Sequence, residues 1–375
     1  MTPFSARLRA ALAKPFLPVV FFFAGVTYDT VTLTRIDRLL DNLILLLYLV
    51  LLGALIVLKV RADFGKARNL QAGTASASHF FVRAEPYYPM AIQFLLGGLF
   101  SAYTIFYSYS ASLTTTAVFF ALLVVLLVGN EFLHDRLSNL KLLVSLYALV
   151  AFCFFTFFLP VLTGLMNWIM VVLGAVLSLA LALRVLELVY EGETGRSRRE
   201  AVKAGLPAVA VVAVLVAFYF LNWIPPVPLS LKLGGIYHQV EKVDGAYQLT
   251  FEKPTWYQVM KRSDNPFHGE GPVYCLTAVF APVDLKTTVY HRWQHRMGSP
   301  GKPAEKGDFS TTDRIPIRIS GGREGGYRGY TIKQRVQPGE WRVDVETDDG
   351  RVIGRVRFRV EPDPGRPLDL QTVTY

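Results

Sequence analysis

Sulfur and imidazole are scarce in this sequence: two cysteines and six histidines in 375 residues. Cys153 falls in an apolar run and Cys275 in a polar one, so they are unlikely partners and no disulfide framework exists to hold a small scaffold. No Cys/His spacing of a zinc finger occurs, and no helix is basic along one face, which excludes the usual nucleic-acid modules. Charge is missing over long stretches of the first half, notably 42–58, 86–130, 142–183 and 204–231. A greasy globular domain does not need such runs. A bilayer core does, at about 20 apolar residues per helix with a rise of about 1.5 Å each.

What is present divides the chain in two. Residues 1–231 carry 17 Lys/Arg against 11 Asp/Glu, and residues 232–375 carry 22 against 18, for a total of +10. Spans are expected at about 15–34, 42–58, 89–107, 113–130, 142–159, 167–183 and 206–223, a polytopic domain over 1–231. Arg7, Arg9 and Lys14 precede the first run as in a signal peptide, but no small-residue cleavage site follows, so it reads as an uncleaved span. Pro160 with Gly164 is expected to break the fifth span from the sixth.

The loops give an orientation. With the N-terminus cytoplasmic, inner segments hold 15 Lys/Arg and outer loops only Arg35 and Arg38. Seven spans then place residues 232–375 in the periplasm of a bacterial inner membrane. The exit through Trp223-Ile-Pro-Pro-Val-Pro228 reads as an interfacial aromatic and a stiff spacer.

From Gly235 on, alternating runs bounded by Gly, Pro and Asp predict strands at 247–251, 273–280, 287–294, 315–319, 327–335, 340–346 and 352–360. Asp349-Gly350 predicts a type I′ hairpin. Seven strands at this spacing predict an immunoglobulin-like sandwich. The hairpin's Arg342, Asp344, Glu346, Arg355, Arg357 and Arg359 should form opposite-charge columns on a solvated face.

Several motifs carry a family resemblance. They are Ala278–Pro282 (AVFAP), Tyr290–Trp293 (YHRW), Gly321–Tyr330 (GGREGGYRGY), and Pro338–Val343 (PGEWRV) with Gly350–Phe358 (GRVIGRVRF). With Phe94–Ser101, Asn130–Phe132 and Ile224–Leu229 upstream, the chain resembles bacterial multi-pass membrane proteins that end in a domain of unknown function. The resemblance implies an architecture and a bacterial origin, and it carries no activity.

Candidate sites are few. His291, Trp293 and His295 share one strand face, but the two histidines would stand about 13 Å apart, too far to chelate one metal at about 2 Å per ligand. His291 and Trp293 are retained as an aromatic binding face, with Arg323, Tyr327 and Arg328 on a glycine-rich loop as partner or glycan contacts. That loop lacks the Lys-Ser/Thr and the helix of a phosphate loop, and its glycines suit positive φ. Glu131 and His134 lie on one helical face near an inner membrane end, and Asp29 lies within the first span, where an ionisable group is a functional candidate. No cofactor or metal is expected.

The expectation is a non-enzymatic inner-membrane protein. Its periplasmic β-sandwich would serve as a binding or assembly module for an envelope protein or glycan, with the lipid bilayer as the other partner. The alternative is a membrane-embedded transferase or hydrolase using Asp29, Glu131 and His134, or a transporter component.

Overall fold

A computed structural model describes residues 27, 29, 38–72, 87–108, 110, 116–130, 139–191, 198–254, 261–269, 271–282, 285–296, 309–323, 325–363, 365 and 367–375. Among these the N-terminal region is helical: α1 Leu39–Ala72, α2 Tyr88–Ser108, α3 Ala117–Gly129, α4 Leu140–Thr163, α5 Trp168–Tyr190 and α6 Arg198–Phe220. Five are long and apolar enough to cross a membrane. The count falls short of seven for two reasons. The predicted first span lies outside the described residues except Thr27 and Asp29, both helical. The predicted fourth appears as α3, only 13 residues, which at about 1.5 Å each is shorter than a hydrocarbon core of about 30 Å.

Local chemistry sets the helix ends. Asn139 caps α4 by accepting from the N–H groups of Lys141 and Leu142 at 3.0 and 3.4 Å, and Asn167 caps α5 through the Met170 N–H at 3.1 Å. Pro160 does not break α4; it lies inside it. The stop is Gly164 at φ 66°, whose N–H bonds the Pro160 carbonyl. Gly97 and Gly98 in α2 give small faces for close packing. A Cβ would stand 3.0 Å from Asn130 Nδ2 at the first and 3.0 Å from the Tyr48 ring at the second. Gln93 and Asn130 exchange side-chain amide bonds to each other's carbonyls at 2.8 and 2.9 Å.

The C-terminal region is β-rich: β1 Ser230–Tyr237, β2 Gln239–Val243, β3 Ala246–Glu252, β4 Phe267–His268, β5 Val273–Phe280, β6 Lys286–Arg296, β7 Ser310–Ser320, β8 Tyr327–Lys333, β9 Gly339–Glu346, β10 Val352–Glu361 and β11 Leu370–Thr374. All seven predicted strands are present. They do not close into a two-sheet immunoglobulin-like sandwich, because four further strands build a third sheet and extend the others. The orders are β1-β5-β8, β4-β10-β9-β6-β7 and β11-β3-β2. The β1-β5-β8 sheet is the middle layer. Ile236, Val273 and Cys275 pack with Trp293, Trp341, Val343 and Phe358 of the five-stranded sheet, while Tyr237 and Leu276 pack with Val240, Leu249 and Phe251 of the third. Strand β5 is therefore buried along nearly its whole length.

By packing, the chain forms two compact units, and the second combines residues 107–121 and 155–177 with Ala213–Tyr375. Within it the proline segment is not a free spacer. Residues 224–230 are all buried, Leu229 joins a core with Val279, Val289 and Val345, and its carbonyl accepts from Ser110 Oγ. Arg351, salt-bridged to Asp349 at 2.6 Å, lies 4.3 Å from the Tyr219 ring. The apolar prolines and Ile224 favour this burial over a hydrated polyproline strut. The β9–β10 turn also differs from type I′. Only Gly350, at φ 80°, has positive φ, and its N–H bonds the Thr347 carbonyl at 3.0 Å.

Candidate functional site

Alternation along β6, β9 and β10 sends Trp293, Val343 and Phe358 inward and leaves charged residues on the opposite face of the five-stranded sheet. Register then decides which charges meet. Arg292 faces Arg314 on one side and Asp344 on the other, and Asp344 faces Arg355. Asp344 accepts from Arg355 Nη2 at 2.8 Å and Arg292 Nη2 at 3.2 Å, and Glu346 pairs with Arg314 at 2.7 Å and Arg292 at 3.0 Å. Glu340 pairs with Arg296 and, at 3.6 Å, with Arg359.

The expected opposite-charge columns are thus only partly formed, and the face is not uniformly solvated. Asp344 and Glu346 are 0% and 2% exposed, roofed by the guanidinium groups that pair with them. Two rows set like charges directly opposite: Arg292 faces Arg314, and the two share Glu346, while Arg357 faces Arg342 with no shared carboxylate among the described residues. Like charges so placed are destabilising. Arg342 donates Nε to Gln294 Oε1 and lies 4.1 Å over the Phe309 ring, with no ion pair to a carboxylate among the described residues. Burial, with the like charges of Arg355, Arg292 and Arg357, holds its pKa below the usual arginine value. Arg357 and Arg318 are exposed. Among the described residues, eight arginines (292, 296, 314, 318, 342, 355, 357 and 359) therefore share this face with four strand carboxylates, Glu340, Asp344, Glu346 and Glu361.

Both strand residues retained as a binding face lie in the core. His291 and Trp293 are 0% exposed. His291 is bracketed by Thr277 Oγ1 at 2.8 Å and Thr331 Oγ1 at 2.9 Å, and Trp293 Nε1 donates to Thr331 Oγ1 at 3.1 Å. They pack on the inner face because β6 alternates with its arginines outward, so neither can present itself to a partner. Burial drives the His291 pKa down to about 3. The glycine-rich segment does carry positive φ, at Gly322 and Gly326. There Arg323 lies 5.3 Å from the Tyr327 ring. Arg328 serves the chain end, donating to the Tyr375 carbonyl at 3.0 Å. Asp29 is half-buried and interacts with Ser101. Glu131 and His134 lie outside the described residues.

Sequence reading missed a second cluster, and no local motif announces it. His238 follows β1, Glu252 ends β3, Lys261 and Asp264 sit in the next loop, and His268 is in β4. His238 Nε2 lies 3.4 Å from Glu252 Oε1 and 3.6 Å from Asp264 Oδ2. His268 Nδ1 reaches Glu252 Oε1 at 2.9 Å, and Lys261 stands 3.6 and 3.5 Å from the two carboxylates. Burial raises the Glu252 carboxyl, but the hydrogen bonds of His238 and His268 and the charge of Lys261 outweigh it and hold the pKa at about 2. Burial dominates at Asp264 and pushes it up to about 6, against the Glu252 N–H and His238. His238, Glu252 and Asp264 are the side chains, among those described, that could hold a metal ion.

Comparison with known proteins bears on the first of these sites. Residues 286–360 match a family described as "Protein of unknown function (DUF2914)". The match is to a domain of unknown function. It spans a fifth of the chain, from β6 through β10, and so includes every arginine of the basic face and none of the His238 cluster. No curated protein matches the sequence. Among solved structures, the alkylpurine DNA glycosylase AlkC of Pseudomonas fluorescens, bound to DNA with an abasic-site analog, aligns over 88% of this chain and 99% of its own. The identity is 9% and the TM-score 0.20, a superposition that conveys neither fold nor activity.

Proposed function

We propose that this is a multi-pass bacterial inner-membrane protein, N-terminus cytoplasmic, whose β domain stands in the periplasm as a non-enzymatic binding module for an anionic envelope glycan. The observation that carries the reading is the arginine face, and within it the Arg342–Arg357 pair. Two guanidinium groups held opposite each other by strand register repel until a carboxylate or phosphate lies between them, where each can donate two hydrogen bonds. Planar forks spread over adjacent strands suit a repeating anionic polymer laid across them. The loop bias of 15 inner Lys/Arg against 2 supports the orientation, and the five long apolar helices are compatible with a membrane location.

The test uses the full chain in zwitterionic lipid nanodiscs, titrated with polygalacturonate, with neutral dextran, and with polyglutamate as a stand-in for an acidic protein. Polygalacturonate should bind, weaken with added salt, and lose about tenfold or more in the Arg342→Gln/Arg357→Gln variant. Equal binding of dextran, or full affinity in the double variant, would overturn the reading. Preference for polyglutamate would replace the glycan with a protein partner.

A further inference from the structure

The His238 cluster has the shape of a metal site rather than of a finished ion-pair network. A network that satisfied itself would close its contacts to about 2.7–3.0 Å. Here the His238 ring nitrogen stays 3.4 Å from one carboxylate oxygen and 3.6 Å from the other. Those separations fit ligand atoms placed around a common centre: bonds of about 2.0–2.2 Å in a tetrahedron hold neighbouring ligand atoms about 3.3–3.6 Å apart. One ligand atom from each of His238, Glu252 and Asp264 lies within 4.8 Å of the other two.

Asp264 supplies a second, independent observation. Its side chain is fully buried. One oxygen, Oδ1, accepts the Glu252 backbone N–H at 2.9 Å, which fixes the carboxylate's orientation. The other, Oδ2, is turned toward His238 and finds no hydrogen-bond partner among the described residues. A buried carboxylate oxygen without a donor is destabilising. A cation at the centre of the triangle would remove that penalty.

The surrounding groups suit such an ion. His268 Nδ1 and its backbone N–H, at 2.9 and 3.2 Å, hold Glu252 Oε1 from behind, the placement from which outer hydrogen bonds orient a ligand carboxylate. Lys261 approaches the other two oxygens, Glu252 Oε2 at 3.6 Å and Asp264 Oδ1 at 3.5 Å, and not the pair nearest His238. The His238 ring is fixed by stacking on Phe267, with centroids 4.2 Å apart.

We propose that His238 Nε2, Glu252 Oε1 and Asp264 Oδ2 bind one divalent transition-metal ion of the Zn2+ class. One imidazole and two carboxylates make a borderline donor set, which favours Zn2+ over the oxygen-preferring Mg2+ and Ca2+. The ion would tie the β2–β3 hairpin to the loop that carries Asp264, a fastening of the domain upstream of its family-matched part. The site is independent of the basic face and stands or falls apart from it.

The experiment takes the untagged full chain in detergent, stripped with chelator and passed through size exclusion. It is titrated with ZnCl2, and bound metal is counted by plasma mass spectrometry. Wild type should hold one Zn2+ per chain. His238→Gln and Asp264→Asn should each lose at least about tenfold in affinity, and Glu241→Gln, an exposed control, should bind as wild type. Zn2+ should also raise the wild-type unfolding midpoint, as any ligand of the native state does. Failure of wild type to take up Zn2+ at about 100-fold excess overturns the proposal even where a variant fails to fold. So does unchanged affinity in folded His238→Gln and Asp264→Asn.

Discussion

Lowering the pH should unfold the β domain through a histidine that no solvent touches. His291 is 0% exposed and enclosed by Thr277 and Thr331, and burial drives its pKa to about 3 from 6.5. The direction is opposite to that of a histidine gaining an acidic partner. The unfolded chain takes up the proton near pH 6.5 and the folded chain not until about pH 3, so the stabilisation is whole above pH 6.5 and is lost progressively as pH falls to 3. Each pH unit in that window is worth about 1.4 kcal/mol, giving a loss of about 3 kcal/mol by pH 4.5 and about 5 at the limit. That is a large part of a domain's typical stability of about 5–15 kcal/mol.

The assay is urea unfolding of the detergent-solubilised chain at pH 7.5, 6.5, 5.5 and 4.5, followed by tryptophan fluorescence. Trp293 is bonded to the same Thr331 hydroxyl as His291 and reports on this core. The companion variant is His291→Gln, whose amide offers one donor group and one acceptor to the two threonines without a titrating group. Its stability at pH 7.5 should be lower than wild type, and its decline toward pH 4.5 shallower by about 3 kcal/mol. Parallel pH profiles in the two proteins would refute the reasoning, because the slope would then belong to other groups.

Three further outcomes follow from the packing. Asp344→Asn leaves Arg292 and Arg355 facing a buried neutral amide and should cost about 3–5 kcal/mol, whereas Arg357→Gln on the same face should change stability by less than about 0.5 kcal/mol; urea midpoints separate the two. Gly321→Ala puts a Cβ 1.5 Å from the Pro282 carbonyl oxygen, so backbone must shift and the thermal midpoint should fall, at a cost of about 1–3 kcal/mol. Alkaline phosphatase fused after residue 231 should be active and the same enzyme fused at residue 136 inactive; the reverse pattern would invert the proposed orientation.

The two regions were legible to different depths for physical reasons. Membrane-length apolar runs and period-2 alternation are local signals, so five long helices and seven strands are readable without any tertiary contact. The four unread strands owe their pairing to neighbours. Strand β1 contains Gly234 and Gly235, which look like a break but exist because a Cβ there would stand 2.7 Å from Val356 and 2.5 Å from the Tyr237 hydroxyl. Strand β2 reads as polar, β4 has two residues, and β11 is held by its antiparallel pairing to β3. Strands β2 and β11 join β3 in the third sheet, and with β1 and β4 they place His238, Glu252 and Asp264 together, so a fold read without them cannot contain that cluster.

The basic face shows the converse case. Its residues were visible as an alternating stripe, but their burial was not, because alternation says which side a residue points to and not what lies over it. Asp344 and Glu346 are buried by the arginines of β6, β7 and β10, and only register assigns those partners. Register also puts Arg342 opposite Arg357 instead of an acid. Asp344 and Glu346 are consumed inside the sheet's own network, and Arg318, Arg357 and Arg359 are left at its surface. A face built only for solubility gains nothing from that division. A face that must accept an anion without competition from its own carboxylates requires it.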